Sequence, residues 1–290
     1  MNMKKTAFIL LTFFLLATAC GSDDDGPAPV MLSSEKELLS FQFLISENPI
    51  GSNVIGEIDT VNHTITAVLP GATFKTSLVP HIQVSTGATI NVFGAYDFSN
   101  ESTITVTAED GSTSDYEVKV MNEKDALLAI YNANPDSWGL EWDVRSDDIE
   151  NWDGIEMVNG VITKLTLGNI GLTNIPPEIQ YLKNLKILLI HMNDFEILPD
   201  EIGKLTNLEY FSCGINSDLN YVSPQIGQLK KLYRLHLDNC RQLNSIPKEI
   251  GELINLEGLY INGNGHGSNV PEEICNLKDT YGTTIFGACD

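Results

Sequence analysis

Ser212, His236 and Asp238 carry the side chains of a hydrolytic triad. Nucleophilic catalysis would use the serine hydroxyl, an imidazole close enough to take its proton, and a carboxylate to orient the imidazole. It would also need donors aimed at a developing oxyanion and a pocket that excludes water. His191 and His236 are candidate ligands for a transition metal, which would need both rings within about 2 Å of one ion. The acidic run from Asp143 to Asp153 offers oxygen ligands of the kind calcium takes. It lacks the EF-hand spacing, so it reads as a solvated loop. Gly263-Asn264-Gly265-His266-Gly267 is glycine-rich, but no P-loop lysine follows, and it reads as a turn. His63 and His81 have no partner near in sequence and read as surface or strand-end residues.

The elements that carry these residues decide what they can do. Prolines recur at 176, 199, 224, 247 and 271, and before each lies one apolar pattern, as in NLKILLIHMNDF and KLYRLHLDNCRQL. A tail such as LPDEIGKL or IPKEIGEL follows. With one short parallel strand per unit, Ser212 and His236 share a register on neighbouring strands, their Cβ atoms about 5 Å apart. Asp238 faces the same way. A regular open sheet spends its N–H groups on its own ladder, however, and provides neither oxyanion hole nor dry pocket, so the chain reads as non-enzymatic. His191 and His236 fall two strands apart, about 10 Å. No metal site and no cofactor are expected.

The L-x-x-L-x-L-x-x-N pattern, with a period in the twenties, resembles the leucine-rich repeat in its plant-type and bacterial forms. The resemblance implies an α/β solenoid of about five repeats over 160–277, with a broad concave surface. Ile162, Leu165 and Leu167, then Leu185, Leu188 and Ile190, and their equivalents would face inward. Asn193, Asn216 and Asn264 would form the asparagine ladder, replaced by Ile170 and Cys240 in the other units. Ile187, Leu189, His191, Tyr210, Arg234, His236, Asp238 and Tyr260 would point outward from the strands, with Tyr233 beside them. These nine are the candidate ligand-binding residues, because exposed apolar side chains need a cover and Tyr and Arg are favoured interface anchors. A sheet roughly 20–25 Å wide suits a peptide, a loop or an oligosaccharide. The expected ligand is a protein or peptide. The alternatives are a glycan stacked on Tyr210, Tyr233 and Tyr260, or a structural protein without a ligand.

The flanks read differently. Residues 33–121 alternate short Val, Ile and Thr-rich runs with turns, and Asp110-Gly111 suggests a type I′ hairpin, so an immunoglobulin-like β-sandwich is expected. The ending TVTAEDGSTSDYEVKV resembles the N-terminal modules of Bacteroidetes surface lipoproteins, which implies a spacer role. Residues 123–159 begin with a short amphipathic helix, EKDALLAIYNAN, and continue through Trp138, Trp142 and Trp152. Trp152-Asp153-Gly154-Ile155 resembles the W-x-G-V of the plant-type N-terminal cap. The cap's cysteine is replaced here by Met157, and a tryptophan cluster is expected to seal the solenoid instead. Residues 278–290 would form a C-terminal cap. Cys275 and Cys289, in an oxidising compartment, are either a disulfide or two unrelated thiols.

Lys4 and Lys5, then an apolar run from Phe8 to Leu16 too short to span a bilayer, read as an export signal over 1–19. Ala17-Thr18-Ala19-Cys20 resembles a bacterial lipoprotein cleavage site, which makes Cys20 the lipid attachment residue, with an acidic tether over 20–32. This implies a lipid-anchored protein of the outer membrane, exposed on the cell surface, that meets the membrane only through its anchor. The formal net charge of −22 argues against nucleic acid, whose phosphates need clustered cations, and against bare anionic lipid.

Overall fold

The computed structural model describes residues 31–287 and 289; the export signal, Cys20 and most of the tether lie outside them. The first region holds eight strands: β1 (Leu38–Phe43), β2 (Val54–Ile55), β3 (Glu57–Asp59), β4 (Thr64–Leu69), β5 (Pro80–Val84), β6 (Thr89–Ile90), β7 (Ser102–Thr107) and β8 (Thr113–Asn122). They form a three-stranded sheet, β2-β1-β5, and a five-stranded sheet, β3-β4-β8-β7-β6. Alternation along the strands buries one face of each: Phe41 and Phe43 from β1, Ile65, Ala67 and Leu69 from β4, and Tyr116, Val118 and Val120 from β8. These residues share one core, in which the rings of Phe41, Phe43 and Phe98 meet edge to face.

The β7–β8 hairpin corrects the expected turn. Only Gly111 has positive φ, at 83°, and its N–H donates to the Ala108 carbonyl at 3.0 Å. The Asp110 carboxylate accepts from the Ser112 N–H. This is a longer loop closed by one left-handed glycine, not a two-residue type I′ turn, which needs positive φ at both central residues.

β8 runs without a linker into helix α1 (Glu123–Ala133). Asn122 accepts from the Asp125 N–H at 3.0 Å, and the Asp125 carboxylate accepts from the Asn122 N–H at 2.7 Å, a reciprocal cap. Glu123, the first helical residue, is fully buried. One of its carboxylate oxygens accepts from the Gly71 N–H, which follows β4, and from the Ile162 N–H of the first repeat. Burial pushes this carboxyl up to about 7. The sandwich and the solenoid thus meet on one buried side chain, backed by the Lys183–Glu57 pair at 2.8 Å.

The cap also departs from expectation. Its end is a strand, β9 (Ile155–Val158), antiparallel to β10 (Val161–Thr166) across Asn159 and Gly160, both with positive φ. The type I′ hairpin belongs here. Trp142 and Trp152 are buried and stacked at 5.1 Å, but Trp138 is 66% exposed and seals nothing.

From β10 the chain adopts a leucine-rich repeat fold. β10, β11 (Ile187–Leu189), β13 (Tyr210–Ser212), β15 (Arg234–His236), β16 (Gly258–Tyr260) and β17 (Thr284–Phe286) form a parallel sheet, while β12 (Ile197–Leu198) and β14 (Tyr221–Val222) pair separately. The proline tails form 3-10 turns at Pro177–Tyr181, Asp200–Lys204, Pro224–Gln228 and Lys248–Glu252. The last tail instead becomes helix α2 (Glu272–Tyr281), which crosses the expected boundary at 277, and β17 adds a parallel strand where only a cap was expected. Cys275 and Cys289 are joined, Cα to Cα 5.3 Å, tying α2 to the segment after β17.

Asn193 and Asn216 are buried, and their amides donate to carbonyls of their own and the preceding repeat. Where Ile170 replaces the ladder residue, its N–H donates to the side chain of Asn193 and its carbonyl accepts from Ser137 in the cap. Cys240 holds its place as a buried thiol whose N–H donates to Asn264. Burial raises that thiol to about 11, which keeps it neutral and inert.

Candidate binding face of the solenoid

The parallel register places outward side chains in rows across the sheet. One row runs Lys164, Ile187, Tyr210, Arg234, Gly258 and Thr284; the next runs Thr166, Leu189, Ser212, His236, Tyr260 and Phe286. Inward neighbours such as Leu188, Phe211, Leu235 and Leu259 are fully buried. The strands are therefore held rigidly by their other face, and the outward residues inherit that rigidity.

Rings dominate the second row. His236 and Tyr260 lie 4.0 Å apart at 5°, and Tyr260 and Phe286 lie 4.4 Å apart at 7°. Tyr210 leans from the first row onto His236 at 5.6 Å and 29°, and Tyr233 meets Tyr210 edge-on at 6.2 Å. The faces of His236 and Tyr260 are covered by their neighbours, so these rings offer edges and hydroxyls to a ligand. Sequence reasoning missed Phe286, which completes the stack. Its signal was legible in Thr284-Ile285-Phe286, where Ile285 continues the inward column and Phe286 the outward one.

His236 is oriented from two sides. Its Nε2 lies 3.1 Å from the Tyr210 hydroxyl and its Nδ1 3.6 Å from an Asp238 oxygen. Burial lowers its pKa, while Asp238 pulls the other way. Burial also raises the pKa of Tyr210. The hydrolytic arrangement is not assembled, because the nitrogen that would face Ser212 is engaged by Tyr210. Among the described residues no group of three or more His, Cys, Asp or Glu is placed to hold a metal ion.

Glycines make room for the larger side chains. A side chain on Gly258 would sit 3.3 Å from the Tyr260 ring and 3.6 Å from Arg234 Nε. One on Gly214 would sit 2.8 Å from the Asp238 carboxylate, and one on Gly168 2.7 Å from the His191 ring. Arg234 makes no ion pair among the described residues, and its Nε is buried without a hydrogen-bond partner. All nine candidates lie on this face and are half-buried. They divide into two groups. Tyr210, Tyr233, His236, Asp238 and Tyr260 are linked to one another and to Phe286 by ring contacts and the His236–Asp238 pair, with Arg234 beside Tyr210 in the first row. His191 leans towards Gly168, on the strand side away from His236, and stands with Ile187 and Leu189 on the preceding repeat.

Residues 39–120 match the family model described as SGBP, N-terminal. The solenoid has separate likenesses. A leucine-rich repeat protein of Leptospira interrogans is 37% identical over 42% of this chain and 30% of that one, at a TM-score of 0.37. A plant ice-binding protein is 27% identical over 53% of this chain and 52% of that one, at a TM-score of 0.46. A 59-residue segment is 39% identical to an adenylate cyclase of Schizosaccharomyces pombe, covering 20% of this chain and 3% of the cyclase. The chain thus spans a small part of the curated relative it matches.

Proposed function

We propose that the protein is a non-catalytic, lipid-anchored surface protein that binds a protein or peptide through the concave face of its solenoid. The lipid would be carried by Cys20, and residues 33–121, read as an immunoglobulin-like sandwich, would lift the solenoid from the outer membrane. The observation that carries the reading is the ring stack from Tyr210 to Phe286 with Arg234 beside it. Rigid aromatic edges, hydroxyls and an arginine with no ion pair among the described residues suit the mixed apolar and polar contacts of a polypeptide.

A second reading, glycan capture, is favoured by the match of residues 39–120, since the matched family is one of surface glycan-binding proteins. Sugar rings stack on open aromatic faces, and Phe286, at the end of the stack and 43% exposed, is the ring best placed to provide one.

The test is a binding screen of the full chain against a glycan array and a displayed library of random peptides. Each screen is repeated with Tyr210→Ala/Arg234→Ala and with Phe286→Ala. Peptide binding abolished by the double variant supports the leading reading. Glycan binding abolished by Phe286→Ala replaces it with the second. Binding that neither variant disturbs removes the ligand from this face.

A further inference from the structure

Where the parallel strands end, each repeat turns through one left-handed residue. Asn169, Met192, Ile215, Asn239 and Gly263 hold this place in successive repeats, with φ between 58° and 73°. The backbone around them repeats closely. The N–H of each of the first four donates to a carbonyl of the next repeat: Asn169 to His191, Met192 to Gly214, Ile215 to Asp238, and Asn239 to Asn262, at 2.7–3.0 Å. Three of the five carry Asn or Gly, the residues this conformation favours. The second and third carry methionine and a β-branched isoleucine, the type that tolerates it least.

Neither side chain belongs to the core, since Met192 is 44% and Ile215 48% exposed. They are neighbours on adjacent repeats, and they adjoin the binding face through His191 and Gly214, the residues just before them. The loops that follow carry exposed acids: Asp194 and Glu196 after Met192, and Asp218 after Ile215. Two strained apolar side chains therefore project into solvent beside a fringe of negative charge.

We propose that Met192 and Ile215 form an apolar extension of the binding face that takes apolar side chains of a peptide segment flanked by Lys or Arg. The inference rests on the peptide-binding reading and adds to it where the peptide runs and what its sequence must contain. A Leu, Phe or Met side chain covers this aliphatic pair and removes it from water, which the hydroxyl-rich surface of a glycan does far less well. Basic flanking residues complement Asp194, Glu196 and Asp218 and make the contact salt-sensitive.

The test uses peptides selected on the full chain from a displayed random library, measured against the full chain and against Met192→Asn/Ile215→Asn. Asparagine already occupies the same backbone position at 169 and 239, so the variant keeps the fold. Relief of strain should raise its melting temperature by roughly 2–4 °C per substitution. The selected peptides are expected to carry an apolar residue beside Lys or Arg, and to bind the variant about tenfold or more weakly. Unchanged peptide affinity in the rim variant, with loss in Tyr210→Ala/Arg234→Ala, would overturn the rim inference and leave the concave face standing. A lower melting temperature would make the pair structural and also overturn it. Failure to select any peptide would remove the peptide reading itself, and the rim with it.

Discussion

The two folded regions use aromatic rings in opposite ways. In the sandwich, Phe41, Phe43 and Phe98 are buried and meet edge to face, filling the space between two sheets. In the solenoid the core is mainly aliphatic, built from Leu and Ile columns with Phe195 and Phe211 among them. There the stacked rings of Tyr210, His236, Tyr260 and Phe286 lie on the outer face. A two-sheet core needs bulk because its layers stand about 10 Å apart. A solenoid buries its strands by stacking like on like and has no comparable need for rings. Rings outside such a core add little to folding, so their concentration on one face marks a contact surface.

The difference can be broken at four places, in order of expected effect. Phe43→Ala should cost about 3–5 kcal/mol of stability, because it leaves a cavity between two rigid sheets; urea unfolding reads it directly. Glu123→Ala should cost on the order of 2–4 kcal/mol, since it leaves the Gly71 and Ile162 N–H groups without their acceptor. The same residue sets a pH dependence. Its carboxyl titrates at about 7 in the folded protein against an ordinary 4.5, so the native state holds this proton more tightly than the unfolded state. The contribution of Glu123 is therefore most favourable below pH 4.5 and declines as pH rises towards 7, by on the order of 2–3 kcal/mol. Melting curves across that range should show the decline in the parent and a flatter response in Glu123→Gln, which keeps an oxygen for the two amides.

Gly214→Ala should cost about 1–3 kcal/mol, because its methyl would meet the Asp238 backbone carbonyl at 2.9 Å as well as the flexible carboxylate. Denaturation midpoints give the size, and loss of peptide binding beyond the stability change would show that Asp238 has been displaced. Smallest in stability is Tyr260→Ala, expected within about 1 kcal/mol of the parent. Its effect should fall on binding.

Much of this was legible in the sequence because a repeat states its own register several times. Leu188, Phe211 and Leu235 fall in one inward column, and the outward residues follow by alternation. What escaped lies where the repeat stops or meets something else. Asn159-Gly160 carried a stronger hairpin signal than Asp110-Gly111, but it sits in a stretch that resembled a helical cap. β17 follows a helix instead of a 3-10 turn, so its spacing from β16 breaks the period and concealed Phe286. The role of Glu123 could not be read at all, because its partners Gly71, Ile162 and Asn184 are distant in sequence and the first two offer only backbone N–H groups. Met192 and Ile215 were visible as residues, but their left-handed backbone was not.

The most direct test of the contrast is a paired measurement on Tyr260→Ala: its melting temperature, and its affinity for a peptide selected on the parent chain. If the outer rings serve contact, the melting temperature stays within roughly 2–4 °C of the parent while affinity falls about tenfold or more. A melting temperature many degrees lower, with affinity retained, would show that the ring stack holds the solenoid together and that its ligand binds elsewhere.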